Sequence, residues 1–151
     1  MVPTLTELAG KGAKLLLLAH FGRPKGQYVP EYSLEPVVAP LAAVLGRDVG
    51  FMQKPDQAAI DALPDGSITV LENSRFAPGE EKNDPAMAKA IASFGDFYVN
   101  DAFSAAHRAH VTTEGIAHLL PSYAGRSMER ELTALDKADR KSTRLNSSHI
   151  T

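Results

Sequence analysis

The sequence predicts an α/β fold, a doubly wound (Rossmann-like) parallel sheet with helices on both faces. Helical and strand-like segments alternate along the chain, and the strand-like runs at residues 15–19 and 68–71 are continuously apolar instead of two-faced. Strands buried on both faces read this way, and the intervening helices supply the crossovers that parallel strands need. A third observation points to one edge of that sheet. Three strand-like runs each give way to a segment carrying arginine: 15–19 before His20-Phe-Gly-Arg23, 68–71 before Glu72-Asn-Ser-Arg75, and 97–99 before a segment ending His107-Arg-Ala-His110.

The elements follow in order. Residues 3–9 read as the end of a helix closed by Gly10 or Gly12, with Leu5 and Leu8 on one face, and residues 14–19 as a buried strand. Ser33 is a candidate N-cap for a helix over 34–45 closed by Gly46, with Pro40 placed to shorten or kink it. A strand at 49–52, a short helix at 56–63, a Pro64-Asp-Gly66 turn and a strand at 67–71 come next. Asp84-Pro85 is a helix start, N-cap followed by proline at the first helical position, for a helix ending at Gly95, and a strand spans 97–100. Thr112 or Thr113 caps a short helix through His118, and Ser127 opens a longer one with Met128, Leu132 and Leu135 on one face. No repeat or linker interrupts residues 3–138, so they read as one domain.

At 151 residues, with 44% hydrophobic and 23% charged side chains, the chain has the composition of a globular protein. It shows neither an 18-residue apolar run nor a secretory leader, and the cytoplasm is the expected compartment. The absence of cysteine excludes disulfides, cysteine-ligated zinc and thiol nucleophiles. Residues 1–138 hold 13 Lys+Arg against 17 Asp+Glu. This mildly acidic body argues against nucleic acid as a partner, because such binding needs a broad basic surface. Three of the four histidines in residues 1–138, His20, His107 and His110, lie in the three loops, so positive potential would be local, which suits a small anion.

In an open parallel sheet, ligands bind beyond the carboxyl ends of the strands, so the loops would set Arg23, Arg75 and Arg108 on one rim. Guanidinium forks pair well with phosphate or carboxylate. Each arginine alone reads equally well as a solvated loop residue paired with Glu72, Glu80 or Asp101. His20, directly after a buried strand, can serve as a ligand group or merely bond a loop carbonyl. Gly22 and Pro24 around Arg23 suggest a tight turn that brings backbone N–H groups to a ligand. His107 and His110 lack the third partner of a metal site, so no metal is expected. Residues 79–84, Gly-Glu-Glu-Lys-Asn-Asp, read as capping groups and a solvated face. No G-x-x-x-x-G-K-[ST] or G-x-G-x-x-G occurs, so any nucleotide belongs to another domain. The second absence also argues against a dinucleotide oxidoreductase.

Three long segments, His20-Phe-Gly-Arg-Pro-Lys25, Leu71-Glu-Asn-Ser-Arg-Phe76 with Gly79-Glu-Glu-Lys-Asn-Asp-Pro85, and Val99-Asn-Asp-Ala-Phe-Ser-Ala-Ala-His-Arg-Ala-His110, resemble the amino-terminal domain of the phosphoglycerate kinase family. The resemblance runs over residues 1–138. It implies two doubly wound domains, the first binding 3-phosphoglycerate or 1,3-bisphosphoglycerate and the second Mg-ATP or Mg-ADP, in a cytoplasmic, monomeric glycolytic enzyme. It implies that Arg23, Arg75 and Arg108 grip the substrate phosphate, that His20, Phe21 and Gly22 complete the pocket wall, and that His107 and His110 add positive charge. Phe21 stands where that family commonly has leucine, and Ala77 where it often has histidine.

The resemblance also implies that this chain lacks the family's opening strand, which contacts the substrate's other end, lacks a downstream arginine that stabilises the transferring phosphoryl group, and lacks the nucleotide domain. No catalytic residue would be retained, and the chain alone would be inactive. Residues 139–151 do not resemble the family's continuation. One codon choice for them reads as a sequencing-library adapter, so they are expected to be a non-native, disordered tail outside the fold. A non-catalytic small-anion-binding α/β module is the alternative reading.

Overall fold

The computed structural model describes residues 1–149, with side chains described to residue 141. Its regular elements in chain order are α1 (Val2–Gly10), β1 (Leu15–Leu17), α2 (Val38–Leu45), β2 (Gly50–Met52), α3 (Gln57–Asp61), β3 (Ile68–Leu71), α4 (Pro85–Ala92), β4 (Tyr98–Asn100), β5 (Ser122–Ala124) and α5 (Arg126–His149). All strand pairs are parallel. β3 lies between β1 and β2, with Leu16 opposite Thr69 and Phe51 opposite Val70.

The four apolar or β-branched residues of β3 explain its central place. Ile68 and Val70 point to one face and Thr69 and Leu71 to the other, and all four are buried. Ile68 and Val70 join Leu5 and Ala9 of α1, Leu15 of β1 and Leu41 of α2 in one cluster. Burial of each large aliphatic side chain there contributes about 1.5–3 kcal/mol. No helix among the described residues is long and apolar enough to cross a membrane.

The expected single sheet is divided. β4 pairs with β5 in a separate two-stranded unit, and β1, β2, β4 and β5 each keep one edge unpaired among the described residues. β5 itself was not predicted. Its Ser-Tyr-Ala sequence has no apolar run and is exposed throughout, so it exists through the ladder with β4, extended by Tyr98 N–H to Pro121 and Gly125 N–H to Asn100.

Three other expectations are corrected. The helix expected over 34–45 begins only at Val38, after a 3-10 turn at Glu35–Val37. Pro40 has no N–H to give the Pro36 carbonyl, so it is accommodated only in a first turn, where no such bond is needed. Ser33 does not cap α2; its hydroxyl donates to Glu72 at 2.7 Å. The helix expected to end at His118 is a π turn at Val111–Gly115 followed by a 3-10 turn at Ile116–His118. The His110 carbonyl accepts there from both Glu114 N–H and Gly115 N–H, which widens the turn.

Asp101, not Ser127, opens α5. Its Oδ1 accepts from the N–H groups of Ser127 and Met128 at 2.8 and 3.2 Å, satisfying two donors that a helix start leaves free. Burial pushes the Asp101 carboxyl up, but hydrogen bonds from Thr4, Met128 and Ser127 and the nearby amino terminus outweigh it and hold the group below its usual range. Arg126 then locks α5 to α1 through paired bonds to Glu7, both 2.8 Å, which lower the Glu7 carboxyl to about 2. Met128 is buried, whereas Leu132 and Leu135 are half exposed.

Residues 139–149, expected to be disordered, continue α5. Extending a helix already nucleated costs little, and Arg140 and Lys141 favour the conformation. Ile150 and Thr151 lie outside the described residues.

Candidate anion-binding site

The loops after β1, β3 and β4 meet at the carboxyl ends of their strands. The Ser74 N–H donates to Ala19 O at 3.0 Å and the Gly26 N–H to Arg75 O at 3.2 Å, tying the first two loops together. Asn73 completes the tie from a fully buried position. Its Nδ2 donates to the carbonyls of Phe21 and Tyr32 at 2.7 and 2.9 Å, and its Oδ1 accepts from Arg75 N–H at 3.0 Å. Glu72, beside it, is engaged by Ser33, by Leu34 N–H and by Asn73 N–H, and is thereby removed from any pairing with the arginines.

These ties create a cleft of about 480 Å³ lined by Arg23, Lys25, Arg75, Glu81, Arg108 and His110. The three arginines that the sequence set on one rim therefore share one cavity. Arg23 and Arg108 are exposed, and among the described residues no ion pair engages either one.

Arg75 differs from both. It is 7% exposed, and its Nη1 donates to the Gly22 carbonyl at 2.9 Å. Its Nε and Nη2 are buried without a hydrogen-bond partner, and the nearest carboxylate, Glu81 Oε1, stands 3.6 Å from Nε. A buried cation with free donors is costly unless an anion completes it. Such a fork, surrounded by four further basic groups, can hold a phosphate or carboxylate through charge-assisted bonds. Among the described residues no group of three His, Asp or Glu is arranged to hold a metal ion.

The remaining predicted residues stand outside the cleft lining. Gly22, at φ 69°, serves through its carbonyl, and a Cβ there would meet the Tyr32 ring at 2.6 Å. Phe21 lays its exposed ring edge-on against Tyr32, while its carbonyl holds Asn73. His107 is exposed and does not line the cavity.

His20 is half buried beside the cleft. Burial lowers its pKa first, and the charges of Arg75, Arg108 and His110 lower it further. The folded chain thus disfavours the imidazolium, so stability falls as the pH drops through about 6.5 toward the lowered folded value. An anion among the same arginines acts oppositely. In a proton NMR titration of the chain, saturating sulfate is expected to move the His20 midpoint upward; an unmoved midpoint would detach His20 from the site.

Two lining residues escaped the sequence reading. Lys25 belongs to the first arginine loop, and its basic neighbour Arg23 was the available signal. Glu81 belongs to the segment taken as a solvated face, together with Glu80, which is 1% exposed. Glu81 and Lys82 are exposed, and Asp84 accepts from Met87 N–H at the start of α4, as that reading expected; the buried Glu80 departs from it.

The family model described as phosphoglycerate kinase matches residues 1–146. The phosphoglycerate kinase of Novosphingobium aromaticivorans is 64% identical over 138 residues, and that of Zymomonas mobilis 62% over 141, each covering 91% of this chain. The chain spans about 35% of the length of these relatives. Among solved structures, phosphoglycerate kinase from Coxiella burnetii superposes with a TM-score of 0.82 at 33% identity, covering 91% of this chain and 35% of that one. The enzyme from Pyrococcus horikoshii gives 0.78 at 31% identity, covering 90% and 36%.

Proposed function

Because the chain belongs to the phosphoglycerate kinase family, we propose that its cleft binds the phosphate of 3-phosphoglycerate and of 1,3-bisphosphoglycerate. The whole protein would then move a phosphoryl group reversibly between the acyl phosphate of 1,3-bisphosphoglycerate and ADP, giving 3-phosphoglycerate and ATP. The buried Arg75 guanidinium, with two unpartnered donors in a basic cleft, is the observation that supports this reading most directly. The same reading makes the protein a cytoplasmic monomer.

Phosphoryl transfer asks a protein mainly for positioning and charge neutralisation. Arg75 would supply the fixed fork, Arg23 and Arg108 the flanking charges, and Lys25 and His110 further positive potential. Together they would hold the non-reacting phosphate and so fix the direction in which the substrate's carboxyl end points. The cleft residues are chemically suited to a phosphate, and the sequence contains no glycine-rich phosphate loop that would cradle a nucleotide. We therefore assign Mg-ATP and Mg-ADP to residues outside these 151, and expect this chain to bind substrate without transferring phosphate.

Calorimetric titration of 3-phosphoglycerate into the chain tests the site. Arg23→Ala and Arg108→Ala are each expected to weaken binding about tenfold, equivalent to roughly 1.4 kcal/mol. Equal binding by all three proteins would refute the assignment. ATP formation from 1,3-bisphosphoglycerate and ADP by this chain alone, in a coupled assay, would refute the division of labour.

A further inference from the structure

Glu80 is buried directly beneath the rim, and the phosphate contacts assigned above make no use of it. Its Oε1 accepts two bonds from Thr112, from the N–H at 3.1 Å and the hydroxyl at 2.6 Å. Its main-chain carbonyl accepts from Val111 N–H at 3.0 Å. Tyr98 grips the same residue from β4, its hydroxyl donating to the Thr112 carbonyl at 2.7 Å. Residues 111 and 112 are thus held at three peptide groups immediately after His110. Thr113 carries the restraint into the rim: its Oγ1 accepts from His110 N–H at 3.1 Å and donates to the Arg108 carbonyl.

On its other side Glu80 is continuous with the Arg75 loop. Its N–H donates to Ala77 O at 3.2 Å, and its neighbour Glu81 faces Arg75. A carboxyl group here is expensive. Burial pushes its pKa up against the hydrogen bonds of Thr112 and the charges of His110 and Arg75, and Oε2 has no hydrogen-bond partner. Burial also raises the neighbouring Tyr98 to about 12, with Glu80 adding to the shift. An aliphatic side chain would fill the space without these costs. What the carboxyl adds is a directed double acceptor for one residue of the opposite loop.

We propose that Glu80 is a positioning residue of the anion cleft, fixing through Thr112 the loop that carries Arg108 and His110 against the loop that carries Arg75. For its ligand this rests on the phosphoglycerate reading; for its geometry it does not. The test combines amide hydrogen exchange with 3-phosphoglycerate titration on one set of variants of the chain.

In Glu80→Ala, the Val111 and Thr112 amides are expected to exchange at least about tenfold faster while Val70 and Leu71 keep their protection. Binding should weaken about tenfold, and Glu80→Gln, whose amide oxygen still accepts from Thr112, should recover most of both losses. His110→Ala should then cost much less in the Glu80→Ala background than in the unaltered chain, because the loop is already displaced. Thr112→Val, which removes only the hydroxyl donor, provides the same coupling measurement if Glu80→Ala does not fold. Unchanged exchange at Val111 and Thr112, or additive losses at Glu80 and His110, would overturn the proposal. If the unaltered chain does not bind 3-phosphoglycerate, the ligand reading falls and the exchange comparison alone decides the role of Glu80.

Discussion

Replacing Arg75 with alanine is expected to weaken 3-phosphoglycerate binding about 100-fold or more while leaving the chain folded. The guanidinium lines the cleft and keeps Nε and Nη2 buried and free of hydrogen bonds, so an anion that reaches them finds both donors unused. Hydrogen bonds involving a charged group contribute about 1.5–3 kcal/mol each, and even the lower value for two of them exceeds a hundredfold in affinity. Stability should move far less. The variant loses the Nη1 bond to Gly22, but it also removes a buried cation whose nearest carboxylate, Glu81, stands 3.6 Å away. Those terms oppose each other. Arg75→Lys keeps the charge and loses the planar fork, and should fall between the two. Calorimetry with a urea melt separates affinity from stability; undiminished affinity in Arg75→Ala would remove the central element of the site.

Asn73→Ala is expected to produce the largest loss of stability near the site, about 2–4 kcal/mol in a urea melt. One buried side chain makes three hydrogen bonds to three segments of the chain, at Phe21, Tyr32 and Arg75. No alanine can replace any of them. Asn73→Asp should be at least as damaging although it is nearly isosteric, because a carboxylate would face the carbonyls of Phe21 and Tyr32 where an NH₂ group now donates. The same substitutions should weaken anion binding by loosening the Arg75 loop. A melt unchanged by Asn73→Ala would show that the loop ties are not what holds the rim.

The legible and illegible parts of the site differ in a consistent way. Arg23, Arg75 and Arg108 were visible because each follows an apolar strand, and parallel strands deliver their carboxyl-terminal loops to one edge. Asp84 was visible because an N-cap followed by proline is a local signal. Glu80 was misread because Gly79-Glu-Glu-Lys-Asn has the composition of a solvated loop, and Glu81, exposed as that composition implies, also lines the cleft. Phe21 and His107 were placed at the cleft by the family resemblance; in the structure Phe21 turns its ring to Tyr32 and His107 stands outside the lining. β5 carried no apolar run at all, and its strand conformation comes from pairing with β4.

The sequence by itself determined the α/β class, the order of most elements and the loops in which positive charge gathers, because apolar runs, caps and prolines act over a few neighbouring residues. The tertiary structure alone decided that Glu80 is buried under Thr112, 32 positions away, and that the Gly22 carbonyl aims Arg75, 53 positions away. Such contacts depend on where the folded chain brings distant segments together, and the cleft is built from them.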